Sequence, residues 1–335
     1  MNRSDIRLAL PSKGRLEPEA LAFLDACGLG IYKPNPRQYQ ATVPAVPGLG
    51  VLFQRPGDIV VGVRQGSLDF GITGLDAVEE KRGDNDDVLV LHEALGFGMC
   101  ALTLAVPEAW DDVQSLADLA ARQNRQPDRL RVATKYPNLT QSFLAQYDLG
   151  DVRLIDAEGT LEVAPTIGYA DVIADLVSSG TTLHDNRLRP LPDGVILRSQ
   201  AVLIGNRAIL QQRPEVLSIA RQLLEYIEAH LRAQGSYLVF ANMRGESPEA
   251  IARRMFTQPH LSGLQGPTIA PVVTREAQPW FAVNIVVRKE QLMPTIAELR
   301  AIGGSGVVVS PVTYIFEEEP PRFMQLLRLL QTKDE

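Results

Sequence analysis

Short apolar runs alternate with stretches of helical period through the first two thirds of the chain, which is the pattern of an α/β protein with mostly parallel strands. The spacing predicts strands at 6–10, 69–73, 88–91 and 101–106, a helix at 17–27 opened by Pro18, and a second helix at 76–81. The pattern then restarts with a helix at 115–123, a strand at 130–134, a helix at 138–147 with Asn138 as its N-cap, and strands at 152–155 and 172–177. Two α/β units follow from this, with a cleft at the carboxyl ends of their strands, where open sheets of this kind bind ligands.

A long amphipathic helix is expected at 213–233, with Val216, Ile219, Leu223, Ile227 and Leu231 on one stripe. After it, a strand at 237–240, a helix at 248–255, strands at 268–273 and 281–287, a helix at 293–302 and a strand at 306–314 give the βαββαβ order of a ferredoxin-like domain. Such a domain serves as a small-molecule sensor or as an oligomerisation surface, and the order alone favours neither. A last amphipathic helix at 322–333 follows the acidic run 317–319, which reads as a solvated approach.

Composition narrows the function. With 45% hydrophobic and 22% charged residues, 26 Gly and 23 Pro, the 335-residue chain is neither disordered, collagenous nor a coiled coil. A net charge of −7 argues against nucleic acid as a partner, since phosphate backbones demand a broad basic surface. Charges occupy the first 13 residues, where a secretory signal needs an apolar run, and no stretch reaches the roughly 18 apolar residues of a membrane span. A cytoplasmic protein with no membrane partner is therefore expected. Cys27 and Cys100 are the only cysteines, and His92, His184, His230 and His260 are scattered, so neither a disulfide framework nor a zinc spacing can be assembled. Any metal should be oxygen-liganded and arrive with a substrate.

The most informative stretch is Asp171-Val-Ile-Ala-Asp-Leu-Val-Ser-Ser-Gly-Thr-Thr-Leu183, an apolar strand with two acids followed by a turn of small residues and hydroxyls. Asp171 and Asp175, four apart, share one side of a strand. Ser178, Ser179, Gly180, Thr181 and Thr182 offer successive backbone N–H groups and hydroxyls at a helix start, a cradle for a phosphate. Acids beside a phosphate cradle suit a ribose 5-phosphate, because carboxylates accept hydrogen bonds from its hydroxyls. The alternative is a plain Ser/Thr helix cap with two exposed aspartates.

Other strand exits carry compatible groups. In Leu10-Pro-Ser-Lys-Gly-Arg15, Lys13 and Arg15 could neutralise a polyphosphate, although a basic turn is also an ordinary solvated one. No Walker loop and no complete Gly-x-Gly-x-x-Gly occurs. Asp69-Phe-Gly-Ile-Thr-Gly-Leu-Asp76 brings Gly71 and Gly74 for close backbone approach and Asp76 at a helix start, where capping would also explain it. Ala133-Thr-Lys-Tyr-Pro-Asn138 joins a strand end, a cation and a helix start, and Glu162 in Gly159-Thr-Leu-Glu-Val-Ala-Pro165 could add a carboxylate.

Together, the segments 10–16, 69–74, 131–138 and 162–183 closely resemble ATP phosphoribosyltransferase, in order and as far as about Asn206. The last third, with Gly266-Pro-Thr-Ile269 and Gly303-Gly-Ser-Gly306, looks like the regulatory domain of that family's long form. The resemblance implies the first step of histidine biosynthesis: adenine N1 of ATP displaces pyrophosphate from 5-phosphoribosyl 1-diphosphate (PRPP), with Mg²⁺. It implies a catalytic part like type II periplasmic binding proteins, two lobes joined by crossing strands, with lobe I at 1–106 and 195–225, lobe II at 107–194 and a regulatory domain at 226–335. It further implies a homo-oligomer, dimers assembling to hexamers, inhibited by histidine.

On this basis Lys13 and Arg15 are the catalytic candidates, stabilising the leaving pyrophosphate. Glu162, Asp171, Asp175, Ser178, Ser179, Gly180, Thr181 and Thr182 are expected on PRPP. By resemblance, Arg55, Gly74, Asp76, Lys135, Tyr136 and Asn138 fall to ATP, and Thr268 and Ser305 to the effector.

Overall fold

The computed structural model describes residues 5–35, 38, 40–157, 160–275 and 278–331. Met1 to Ser4, Gly159 of the Glu162 motif and the last two residues of the helix expected at 322–333 lie outside the described residues.

The chain opens with β1 (Ile6–Pro11), α1 (Leu16–Ala26), β2 (Gln40–Thr42), β3 (Leu49–Gln54), α2 (Pro56–Arg64), β4 (Phe70–Gly74), α3 (Leu75–Lys81) and β5 (Val88–His92). It crosses into a second lobe of β6 (Cys100–Pro107), α4 (Leu116–Gln123), β7 (Arg131–Thr134), α5 (Pro137–Leu144), β8 (Arg153–Asp156), β9 (Val172–Val177), α6 (Thr181–Asp185) and β10 (Leu188–Ser199). It returns through β11 (Ala201–Asn206) and α7 (Arg207–Gln212) to the long α8 (Pro214–Ala233). The two sheets run β2-β3-β1-β4-β11-β5 and β10-β6-β9-β7-β8. Proline opens α2, α5, α8 and the later α9 (Pro248–Phe256), because its missing N–H is one that a helix start leaves unpaired in any case.

The sheets are more mixed than the alternation of strands and helices predicts. β1 lies parallel to β3 and β4, and β7 parallel to β8 and β9, but β6, β10, β11 and β2 pair antiparallel. β6 and β10 carry the chain into and out of the second lobe, and β11 inserts between β4 and β5 on the return, so these strands run against their neighbours. All of β6 and β10 belongs to the second sheet, which moves the crossing points to about residues 93–99 and Gln200, compared with the expected boundaries at 106 and 195. The segment 40–64, which the spacing left unassigned, forms β2, β3 and α2. β3 alternates buried and half-buried positions over only six residues, and α2 spans nine, so neither gives a long periodic signal.

Residues Met1–Ile227 with Glu319–Glu335 form one compact unit, and Glu228–Glu318 another. The second unit contains β12 (Ser236–Arg244), α9, β13 (Thr268–Val272), β14 (Trp280–Arg288), α10 (Leu292–Ala301) and β15 (Gly304–Pro311), in the expected βαββαβ order. Its antiparallel sheet runs β13-β14-β12-β15, with Val239, Ala241, Met243, Val283 and Ile285 packed against Ile251, Met255 and Leu299 of the helices.

The closing helix α11 (Pro321–Gln331) was expected in the third domain but belongs to the first unit. It buries Phe323, Leu326 and Leu330, its last carbonyls accept from Arg207 (2.7 Å to Leu329) and Gln211 (2.9 Å to Leu330), and Arg322 pairs with Glu93. These side chains satisfy acceptors that the end of a helix cannot pair internally. Among the described residues, no helix is long and apolar enough to cross a membrane.

His92, at the end of β5, is 2% exposed and its Nδ1 accepts from the Ala94 N–H at 3.2 Å. Burial first, and then the charge of Arg322, push its pKa down to about 4. An unfolded histidine titrates near 6.5, so the unfolded chain binds the extra proton between these values and stability falls as pH drops through that window. Urea unfolding between pH 7 and pH 4.5 is expected to show wild type losing up to about 3 kcal/mol more than His92→Asn, which keeps an acceptor for Ala94. Equal pH slopes in the two proteins would remove His92 from this account.

Candidate functional site

The parallel strands deliver their carboxyl ends to one region of each lobe. Pro11 aligns with Gln54, so the turn after β1 and the start of α2 lie side by side, and an open depression of about 630 Å³ includes Ser12, Lys13, Gln54, Arg55 and Asp58. Lys13 and Arg55 thus meet there. Arg15 is partly engaged: its Nη2 donates to the Met99 carbonyl at 2.8 Å and its Nε lies 3.3 Å from Glu19, whose other oxygen accepts from Gly98 N–H at 2.8 Å. Arg15 and Glu19 therefore brace the segment that crosses into the second lobe, and half of the Arg15 side chain remains exposed.

In the second lobe β7 and β9 are parallel with Thr134 beside Ala174, which puts Lys135 next to Asp175. Burial raises the Asp175 pKa above its ordinary value and the charge of Glu162 adds to that, while the Leu176 N–H (2.8 Å) and the charge of Lys135 pull the other way. Asp175 therefore feels the charges of both Glu162 and Lys135. Beyond Asp175 the chain turns through exposed Ser178 and Ser179, then Gly180 at φ +79°, a left-handed conformation that a side chain would strain. Ser179 and Thr181 hydroxyls lie 3.0 Å apart, and Thr182 is exposed one residue into α6. Below this turn Leu183 packs with Leu161, Ile173 and Leu188, so the turn and the Glu162 segment share one apolar footing.

Asp171 is not brought to this group. It precedes β9, where Arg131 Nη2 (2.7 Å) and Nε (3.1 Å) and the Arg131 backbone N–H (2.8 Å) all donate to its carboxylate. These bonds hold its pKa below the ordinary carboxylate value against partial burial. Asp171 and Asp175 share a strand parity, but four residues of extended chain separate them by roughly 13 Å, and only the second reaches the phosphate-cradle end.

Of the residues expected on the nucleotide side, Asp76, Tyr136 and Asn138 meet between the two lobes, whereas Arg55 borders the Lys13 depression. Asp76, 5% exposed, accepts from Ser199 Oγ at 2.5 Å and from Tyr136 Oη at 2.7 Å. Burial and the adjacent Asp76 charge push the Tyr136 phenol up, so it stays protonated and donates. Gly74 makes room for this arrangement, since a Cβ there would collide with the Asp76 carboxylate. Cys100 lies in the same neighbourhood; burial first, and then the Asp76 charge, raise its pKa against the charge of Arg15.

Asn138 is not the N-cap of α5. Tyr136 holds that position without a side-chain cap bond, and the exposed helix N–H groups are met from the other lobe. Glu80, 7% exposed, accepts from Asn138 N–H and Leu139 N–H, each at 3.0 Å, and the Asn138 side chain donates to the Glu80 carbonyl at 3.2 Å. Sequence reasoning missed Glu80, Ser199 and Glu19. The one available signal was that Asp76 and Glu80 are four apart on a helix and so share a face, but the acid-rich run after them reads as solvated.

In the second unit Thr268 pairs with Asn284 on one edge strand and Ser305 with Asn242 on the other, the Ser305 hydroxyl donating to the Asn242 carbonyl at 3.3 Å. Both occupy the face of the sheet away from the helices, three strand spacings apart across the sheet and two residues apart along it, roughly 16 Å in all. They are not adjacent within one copy of the domain.

Comparison with known proteins gives concordant matches. The family model described as ATP phosphoribosyltransferase matches residues 55–229, and the one described as HisG, C-terminal domain, matches 233–314. ATP phosphoribosyltransferase 2, chloroplastic, of Arabidopsis thaliana is 47% identical over 334 residues, covering 98% of this chain and 81% of that protein. ATP phosphoribosyltransferase of Rhodopseudomonas palustris (strain HaA2) is 35% identical, covering 97% of this chain and 98% of its own. Among solved structures, the ATP phosphoribosyl transferase (HisG:HisZ) complex from Thermotoga maritima aligns a chain with a TM-score of 0.51 at 25% identity, over 67% of this chain and 98% of that one.

The Arg131–Asp171 pair should be structural. Asp171→Asn is expected to lower stability by about 1 kcal/mol, discounted for its partial exposure, in urea unfolding with an unchanged m-value. A loss of ligand binding without a loss of stability would place Asp171 in the site after all.

Proposed function

The chain belongs to the ATP phosphoribosyltransferase family, the pentosyltransferases of the first step of histidine biosynthesis, and on that premise we propose how its cleft divides the two substrates. PRPP binds at the carboxyl end of β9. The turn Ser178, Ser179, Gly180, Thr181 and Thr182 receives the 5-phosphate, and Asp175 with Glu162 accepts hydrogen bonds from the ribose hydroxyls. ATP lies toward Arg55, Gly74, Asp76, Lys135 and Tyr136. The observation that carries this reading is the partly buried Asp175 at a strand end, directly before the hydroxyl turn and beside Lys135 and Glu162. Asp171, engaged by Arg131, is left out of it.

The reaction breaks the bond from the anomeric carbon to the diphosphate oxygen and forms one to adenine N1. Positive charge builds on the ribose and negative charge on the departing pyrophosphate, so alignment and fixed charge matter more than a general base. Asp175 and Glu162 favour the electron-poor ring. Lys13 and the exposed part of Arg15 meet the leaving group, with Arg55 bordering the Lys13 depression. Mg²⁺ would neutralise diphosphate charge and travel with the donor. Among the described residues no group of three or more His, Cys, Asp or Glu side chains is gathered for an ion, whereas Asp175 and Glu162 are oxygen donors of the kind magnesium takes.

Pyrophosphate should be released from PRPP only when ATP is present, and its absence with both substrates and Mg²⁺ would overturn the reading. Asp175→Asn should reduce kcat/KM by about a hundredfold, or roughly 2.7 kcal/mol of transition-state stabilisation. Because its pKa is raised and the ionised form is needed, the acid limb of the wild-type profile should lie above the pH of an ordinary aspartate and change in that variant.

The Glu228–Glu318 unit is proposed to act as the regulatory part of a homo-oligomer of dimers assembling to hexamers, with histidine as the inhibitor and Thr268 and Ser305 among the effector contacts. Millimolar histidine should then lower the rate, and Thr268→Val should weaken inhibition while leaving the uninhibited rate within about twofold, a difference of roughly 0.4 kcal/mol. A full-length protein indifferent to histidine would remove the assignment.

A further inference from the structure

Asp76 and Glu80 occupy one face of α3, one turn apart, and both are almost wholly buried, with no Lys, Arg or His paired with either carboxylate among the described residues. Buried carboxylates need donors, and these two find theirs largely on the opposite lobe. Glu80 is the more unusual. Its two oxygens take the N–H groups of Asn138 and Leu139, the second and third residues of α5, while its own carbonyl receives the Asn138 side chain. The cap that a serine or aspartate would normally supply from within the helix is supplied from the other lobe, and the helix dipole adds to it.

The capped turn holds chemistry. One residue before α5 stands Tyr136, whose hydroxyl donates to Asp76, and one before that stands Lys135, beside Asp175. Thr134 Oγ, fully buried, accepts from the Tyr136 N–H at 3.0 Å, which ties the turn to β7 from below. The Lys135–Tyr136 turn is therefore fixed at three points: by Thr134 from its own strand, by Asp76 through the phenol, and by Glu80 through the helix start.

We propose that Glu80 is a positioning residue for phosphoribosyl transfer: by capping α5 across the cleft it holds the Lys135–Tyr136 turn against Asp76 and Asp175, and so sets the register of the two lobes around the substrates. This rests on the reading of the cleft given above. Glu80 touches neither substrate. It acts through the backbone of α5, and its removal leaves the helix start and the turn free to shift relative to Asp175.

Three measurements on the full-length protein test this. Glu80→Gln, which loses the charge and one of the two acceptors, should lower kcat about tenfold while the melting temperature changes by only a few degrees, and amide exchange at 138 and 139 should accelerate. Because Glu80 works through the turn, its effect should shrink to twofold or less when introduced into Tyr136→Phe. A residue with only a structural role would give multiplicative effects in that double variant. Glu80→Asp, charged but shorter, should recover part of the lost rate. Unchanged kcat in Glu80→Gln, faster exchange with full activity, or independent effects in the double variant would each overturn the proposal. If wild type made no product from ATP and PRPP, the reading of the cleft would fall, and with it the role of Glu80 in transfer, whereas exchange at 138 and 139 would still report whether the cap exists.

Discussion

Two buried carboxylates on a seven-residue helix hold the cleft together. Asp76 and Glu80 are removed from water on α3 and must be satisfied by the second lobe or by the strand that returns from it, since an unpaired buried charge costs far more than a hydrogen bond returns. Ser199 ends β10, Tyr136 follows β7, and the amides of α5 follow Tyr136, so elements far apart in sequence answer to one short helix. The mixed sheets serve the same end. β6, β10 and β11 carry the chain across twice, and the second crossing places Ser199 and Gln200 directly against Asp76 and Leu75.

The opposite wall of the cleft rests on packing. The Gly180 turn is exposed and built from small residues, yet Leu183 just after it and Leu161 just before Glu162 are buried in the same cluster with Ile173. The hydroxyl turn is thereby fastened at both sides to the β9 strand that bears Asp175. The αL conformation at Gly180 lets the chain reverse from strand to helix within three residues, which leaves room for backbone groups to approach an anion. At the far end of the same strand Asp171 is spent on Arg131, anchoring β9 to β7 instead of joining the site.

The βαββαβ unit stands between α8 and α11 in sequence, and α11 packs with the first unit through Phe323, Leu326 and Leu330. The chain that leaves the first unit along α8 therefore comes back to it. Arg322 with Glu93, and Arg207 and Gln211 with the last carbonyls of α11, fasten the return beside buried His92.

Most elements were legible because their signals are local. The apolar runs of β1, β4, β7 and β9, the stripe on α8 and the βαββαβ order depend only on neighbours in sequence, and the hydroxyl turn with Asp175 was visible as a motif for the same reason. Short β3 and α2 escaped because six and nine residues carry too little periodicity. Strand direction, the lobe to which β6 and β10 belong and the docking of α11 were decided by pairing between distant segments. The same holds for the acids. Strand parity put Asp171 and Asp175 on one side, but only the fold placed Arg131 at one end and Lys135 at the other, and only the fold turned Glu80, one more acid in a charged run, into the cap of a helix some sixty residues later in the chain, because hydrogen bonds between lobes leave no trace in local spacing.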